Sequence, residues 1–140
     1  MFKFSKRSKT NLSEAHLDLQ TLFNEVIKYY DCSIIEGHRG EEEQNEAYYS
    51  GRSDKLYPNS KHNKIPSLAV DAVPWFKNAP HIRWEDKAKF YEFNGFVCGI
   101  ASMLGIKIRL GSNWDMDDEL HDQRLYDLCH FELVMEALNE

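Results

Sequence analysis

Cysteine, basic charge and long apolar runs are all scarce in this chain, and each shortage excludes a class of protein. The three cysteines, Cys32, Cys98 and Cys129, are far apart, and their odd number does not describe a disulfide framework. Reduced thiols and folding in a cytoplasm are therefore expected. The balance of 17 Lys and Arg against 23 Asp and Glu gives a net charge of -6, which argues against non-specific binding to nucleic acid, where phosphates must be neutralised. No apolar run follows the basic residues Lys3, Lys6, Arg7 and Lys9, so neither a signal peptide nor a membrane span is expected. Repeats, linkers and low-complexity tracts are lacking too. What remains is 140 residues read as a single domain, 1–140, in which 1–12 form a polar, basic arm, extended or loosely docked.

The periodicity that is present predicts alternating helices and short strands. From Ser13, taken as an N-cap, Leu19, Leu22, Phe23, Val26, Ile27 and Tyr30 fall on one helical face. Cys32 to Glu36 reads as a strand ended by Gly37, and Glu41 to Ser50 as a helix with an acidic first turn, closed by Gly51. Residues 52–67 read as a loop, and Leu68 to Val73 as a buried strand ended by Pro74. A long helix over Glu85 to Leu104 stops at Gly105, and Ile106 to Leu110 alternates as a half-buried strand. An acidic loop, a last strand over His130 to Leu133 and a short C-terminal helix complete the chain. The fold class is α+β, a small, mainly antiparallel sheet with helices packed on one side.

Chemistry concentrates in two stretches. Ser60 to Asp71 offers an imidazole, His62, and nine residues later a carboxylate, Asp71, at the end of an apolar run. Asp127 to Leu133 adds a second imidazole, His130, with a carboxylate three residues before it. Catalytic zinc takes three ligands from His, Asp and Glu and leaves a position to water. His62, Asp71 and His130 meet that count, and Asp127 is a spare acid for proton transfer. Taken singly, His62 also fits an exposed loop histidine, His130 a hydrogen-bonded core histidine and Asp127 a surface residue or N-cap. Asp71 resists such readings, because Ala69, Val70, Ala72 and Val73 flank it and a buried carboxylate needs a partner or a metal.

Cys129 is a further donor, but strand alternation would turn it away from the face of His130. Arg39, after a predicted strand, suits a substrate carboxylate or carbonyl oxygen, and equally a surface pairing with Glu41 to Glu43. His16, His38 and His81 read as structural or exposed, and His121 as a rival metal ligand. Asp115, Asp117 and Asp122 are spaced as calcium donors, without the EF-hand glycine and distant glutamate, and equally fit a solvated run.

Together Ser60-Lys61-His62, Ala69-Val70-Asp71 and Asp127-Leu128-Cys129-His130-Phe131-Glu132-Leu133 resemble the zinc D-Ala-D-Ala carboxypeptidase and L-alanyl-D-glutamate endopeptidase family. The single-domain phage endolysins are the most similar members. Glu36 to Arg39 with Gln44 and Gly51 to Ser53, and Gly111 to Asp115, extend the resemblance from Leu12 to Leu133.

The resemblance implies that His62, Asp71 and His130 bind zinc, that Asp127 is the catalytic base, that Arg39 stabilises an oxyanion, and that Ser60 and Gln44 lie near the substrate. It implies the small antiparallel sheet shared with lysostaphin-type peptidases and the hedgehog signalling domain. Pro66-Ser67 lengthens the spacer common in that family between the first histidine and the aspartate, and Ser112, Asn113 and Met116 depart from its glycine-rich acidic loop.

The expected activity is a zinc peptidase cutting the peptide stem of peptidoglycan, with a monomer as the default state. Without a leader of its own it would be made in the host cytoplasm and reach the wall after release. A D-Ala-D-Ala carboxypeptidase is the alternative within the class, and a non-catalytic zinc-containing module that binds wall peptide or a protein is the alternative outside it.

Overall fold

The structure, a computed structural model, describes residues 1–111 and 128–135. Four strands, β1 (Cys32–Glu36), β2 (Ala69–Pro74), β3 (Ile108–Leu110) and β4 (His130–Leu133), form one antiparallel sheet in the order β1-β2-β4-β3. The helices are α1 (Lys6–Ser13), α2 (Leu17–Val26), α3 (Glu41–Tyr49) and α4 (Lys87–Leu104). This is the α+β architecture expected from the sequence. Among the described residues no helix is long and apolar enough to cross a membrane.

Strand alternation divides the sheet into two chemically different faces. Cys32, Ile34, Val70, Ala72, Phe131 and Leu133 enter a core with Leu19, Leu22, Phe23 and Val26 of α2 and Phe93, Val97 and Ala101 of α4. Phe131 meets Phe23 at 5.4 Å and Phe93 at 5.8 Å between ring centroids, both edge-on. Its removal leaves a cavity between two helices and the sheet. Phe131→Ala is therefore expected to lower the unfolding free energy by about 3–5 kcal/mol, read from the denaturant midpoint. The intervening residues, Asp71 on β2 and His130 on β4, are paired in register on the opposite face.

The N-terminal arm differs from its expectation. Residues Lys6–Ser13 are helical, with the Ser5 side chain accepting from Ser8 N at 3.1 Å. Ser8 Oγ accepts from Ile34 N and Asn11 Nδ2 donates to Ile34 O, so α1 covers the polar edge of β1. Apolar periodicity missed this helix because its main ties to the sheet are polar. Ser13 is accordingly the last residue of α1, and α2 is capped instead by His16, whose Nδ1 accepts from Asp18 N at 3.0 Å.

The other boundaries move little. Asp86 caps α4 through Lys89 N, and Gly105 ends it in the left-handed region at φ 73°. Within the expected loop, Lys61–Asn63 form a 3₁₀ turn. A bulge between Ile34 and Glu36 brings Glu36 opposite Asp71. Asp115, Asp117, His121, Asp122, Asp127 and the expected C-terminal helix lie outside the described residues.

Candidate metal centre

Three donors from three elements converge on the polar face of the sheet. Asp71 comes from β2, His130 from the first position of β4, and His62 from the 3₁₀ turn. Asp71 Oδ1 lies 3.2 Å from His62 Nε2 and 3.4 Å from His130 Nδ1. One ligand atom from each of the three falls within 4.8 Å of the others. The rings stand at 70° to one another with centroids 5.1 Å apart. Two imidazoles and a carboxylate so placed can hold a divalent cation.

Hydrogen bonds at the far side of each ring support that fit. His62 Nδ1 donates to Gly37 O at 2.7 Å, which turns Nε2 towards Asp71 and the place a cation would take. His130 Nε2 donates to Glu132 Oε1 at 2.9 Å, which leaves Nδ1 on the Asp71 side. Outer partners of this kind set the tautomer of a metal-bound histidine.

The 3₁₀ turn is itself held at several points. Ser60 Oγ accepts from His62 N, Ser60 N donates to Asn63 Oδ1, and Arg39 N donates to His62 O. Ser60 is almost fully buried, and in the structure it shapes the turn that presents His62.

Electrostatics follow from this crowding. Burial pushes the Asp71 carboxyl up, but the His62 ring beside it and hydrogen bonds from both imidazoles outweigh burial and hold it well below the usual carboxylate range. For His130 burial acts downward, and its bonds to Asp71 and Glu132 prevail, raising its affinity for a proton in the metal-free molecule. A cation held between these groups would displace that proton.

Arg39 stands beside the three donors. Its Nη2 donates to Glu36 Oε1 at 2.7 Å and reaches Asp71 Oδ2 at 3.5 Å, while Nη1 donates to Gln44 Oε1 at 2.9 Å. Burial favours its neutral form, yet Glu36 and Asp71 hold it firmly cationic. The surface pairing with Glu41 to Glu43 is thus replaced by one with Glu36 and Asp71. Gln44 is fully buried, its Oε1 accepting from Arg39 and Asn63 and its Nε2 donating to Ser53 Oγ and Lys55 O. It orients the guanidinium from behind.

A cleft of about 180 Å³ opens onto these groups, lined in part by Glu36, Arg39, Arg52, Asp71, Trp84 and Cys129. Cys129 was expected on the face away from His130. It instead precedes β4, so strand alternation does not govern it, and it packs with Val73, Phe90 and Leu128. His16 and His81 are structural, the latter stacked on Trp75 and bonded to Phe76 O. Gly37 and Glu132 were not singled out from the sequence. Glu132 was legible through its two-residue offset from His130 on a strand; the carbonyl of Gly37 left no sequence signal.

Residues 1–134 match the family model of phage L-alanyl-D-glutamate peptidases. The L-alanyl-D-glutamate peptidase of Escherichia phage T5 is 30% identical over 138 residues, 95% of this chain and 98% of that protein. Among solved structures, the L-Ala D-Glu endopeptidase ChiX of Serratia marcescens is similar with a TM-score of 0.72 and 27% identity, covering 94% of this chain and 90% of that one. A match along almost the whole chain, on a fold that gathers two histidines and an aspartate beside a cleft, places this protein in the phage L-alanyl-D-glutamate peptidase family, as a hydrolase of peptide bonds.

Proposed function

We propose that this chain is a zinc-dependent L-alanyl-D-glutamate endopeptidase that cuts the peptide stem of peptidoglycan as a phage-type endolysin. The observation that carries the reading is the convergence of His62, Asp71 and His130 with both outer ring nitrogens engaged by acceptors. The donor set suits zinc, with three ligands of the catalytic kind. A zinc ion held there would lower the pKa of a coordinated water and polarise the scissile carbonyl.

The chain's own groups supply the rest. Arg39 faces the cleft with a fixed positive charge, suited to the oxyanion that develops at the attacked carbonyl. Glu36 and Gln44 hold its guanidinium in place. Asp127, three residues before His130 in sequence, takes the proton of the attacking water and returns it to the leaving amine. The substrate stem lies along the cleft, and the chain acts on the wall as a monomer after release from the host cytoplasm.

The test is digestion of Gram-negative sacculi with the product masses read out. Fragments that end at L-Ala, lost with chelator and restored by added zinc, are the expected result. Release of single D-Ala residues would instead make it a carboxypeptidase, and stoichiometric zinc without any fragment would make it a binding module. Asp127→Asn is expected to keep zinc and to lose activity by about 10²–10⁴-fold, the range of general acid–base catalysis. Turnover at the wild-type rate would remove Asp127 from the mechanism.

A further inference from the structure

Two residues beyond His130 on β4, Glu132 is a carboxylate with 4% of its side chain exposed. Alternation puts it on the face of His130 and Asp71. Its Oε1 accepts from His130 Nε2 at 2.9 Å. Its Oε2 lies 3.0 Å from Arg109 Nη2 and 3.4 Å from Lys61 Nζ. Those partners come from separate elements, since Arg109 is in register with Glu132 on β3 and Lys61 begins the turn that carries His62. Lys61 Nζ donates also to Leu133 O, the next residue of β4. Burying a carboxylate with two cations carries a desolvation cost that packing alone does not require.

We infer that Glu132 is the positioning residue of the metal centre, holding His130 with its proton on Nε2 and Nδ1 towards the cation, and tying β4 through Lys61 to the turn of His62. The inference rests on the metal reading above. An imidazole has two tautomers and can rotate about χ2, and one arrangement of the four offers Nδ1 to a cation beside Asp71 with the proton on Nε2. An anionic acceptor at Nε2 selects it. For His62 the corresponding acceptor is the Gly37 carbonyl, which belongs to the backbone, whereas at His130 it is a side chain and can be replaced. Arg109 and Lys61 aim the carboxylate from two sides. Both are about a third exposed, so they retain hydration when Glu132 is neutralised, and the fold should survive the change.

The experiment measures zinc affinity by chelator competition in the wild-type chain, Glu132→Gln and Glu132→Ala, and assigns the His130 tautomer in the zinc-loaded wild type by nitrogen-15 NMR. Glu132→Ala is expected to bind zinc about 10–100-fold more weakly, the usual loss when an outer-shell partner is removed. Glu132→Gln should fall between, because its amide oxygen can still accept from Nε2. The wild-type spectrum should show the proton on Nε2 and the metal on Nδ1. Equal affinity in all three chains, or coordination through Nε2, overturns the inference; the spectrum does so even if neither variant folds. A wild-type chain that takes up no zinc overturns the metal reading and this inference with it. Zinc bound normally without cleavage of sacculi would overturn the peptidase proposal while leaving the role of Glu132 standing.

Discussion

Asp71→Asn is expected to abolish cleavage of sacculi and to weaken zinc binding beyond the roughly 10–100-fold loss assigned to an outer partner. Among the described residues the Asp71 carboxylate is the anion that lies between His62 and His130, and it faces the Arg39 guanidinium at 3.5 Å. Asparagine keeps the volume and one oxygen. It removes the charge that both imidazoles and Arg39 are arranged around, leaving positive groups against a neutral amide. A fall of at least about 10³-fold in kcat/KM, equivalent to roughly 4 kcal/mol, is the expected outcome. The core should be spared, because Val70 and Ala72 point to the other side of β2 and pack with Phe131 and the helices. Unfolding of the metal-free variant should therefore remain cooperative. One equivalent of zinc retained at wild-type affinity would sink the assignment of Asp71 as a ligand.

Gly37→Ala should damage both fold and metal centre. A Cβ at Gly37 would lie 2.1 Å from Asn11 O and 3.1 Å from Glu14 Oε1. The first contact is backbone, so a rotamer change cannot relieve it, and the end of β1 must separate from the C-terminal part of α1. Asn11 Nδ2 holds Ile34 O and Glu14 Oε1 accepts from His38 N, so both ties would be strained together. Overpacking of this severity is expected to cost about 3 kcal/mol, which for a chain of this size lowers Tm by roughly 10 °C.

The same movement displaces the Gly37 carbonyl, which accepts from His62 Nδ1 and from Ser67 Oγ. Zinc affinity should fall with stability, by about 10-fold or more. Gly99→Ala is the control. Gly99 lies in α4 with nothing within 4 Å of its added Cβ, and the change is expected to be neutral or to stabilise by up to about 1 kcal/mol. Equal melting temperatures for Gly37→Ala and wild type would show that the strand end can move freely.

Much of the architecture was legible because burial follows period. The one-face spacing of Leu19, Leu22, Phe23 and Val26 located α2, and the apolar run around Asp71 located β2. The start of α2 was misread because Ser13 is a preferred capping residue type and His16 is not, whereas Ser13 ends α1, a helix that fastens to β1 by Ser8 and Asn11. The same limit applies to Arg39. Its nearest acids in sequence on one side are Glu41 to Glu43, but the bulge in β1 and the register of β2 bring Glu36 and Asp71 to it.

By itself the sequence determined the donor types, the family resemblance and the period of each main element, since these are properties of residue identity and spacing. Only the tertiary structure decided which nitrogen of each histidine faces Asp71, which groups bond the other nitrogen, and how Arg39 is held. Those choices arise between elements far apart in the chain: Gly37 is 25 residues from His62, and Lys61 reaches β4 across 72 positions. Strand register and a backbone carbonyl carry that information, and neither is written in the local order of side chains.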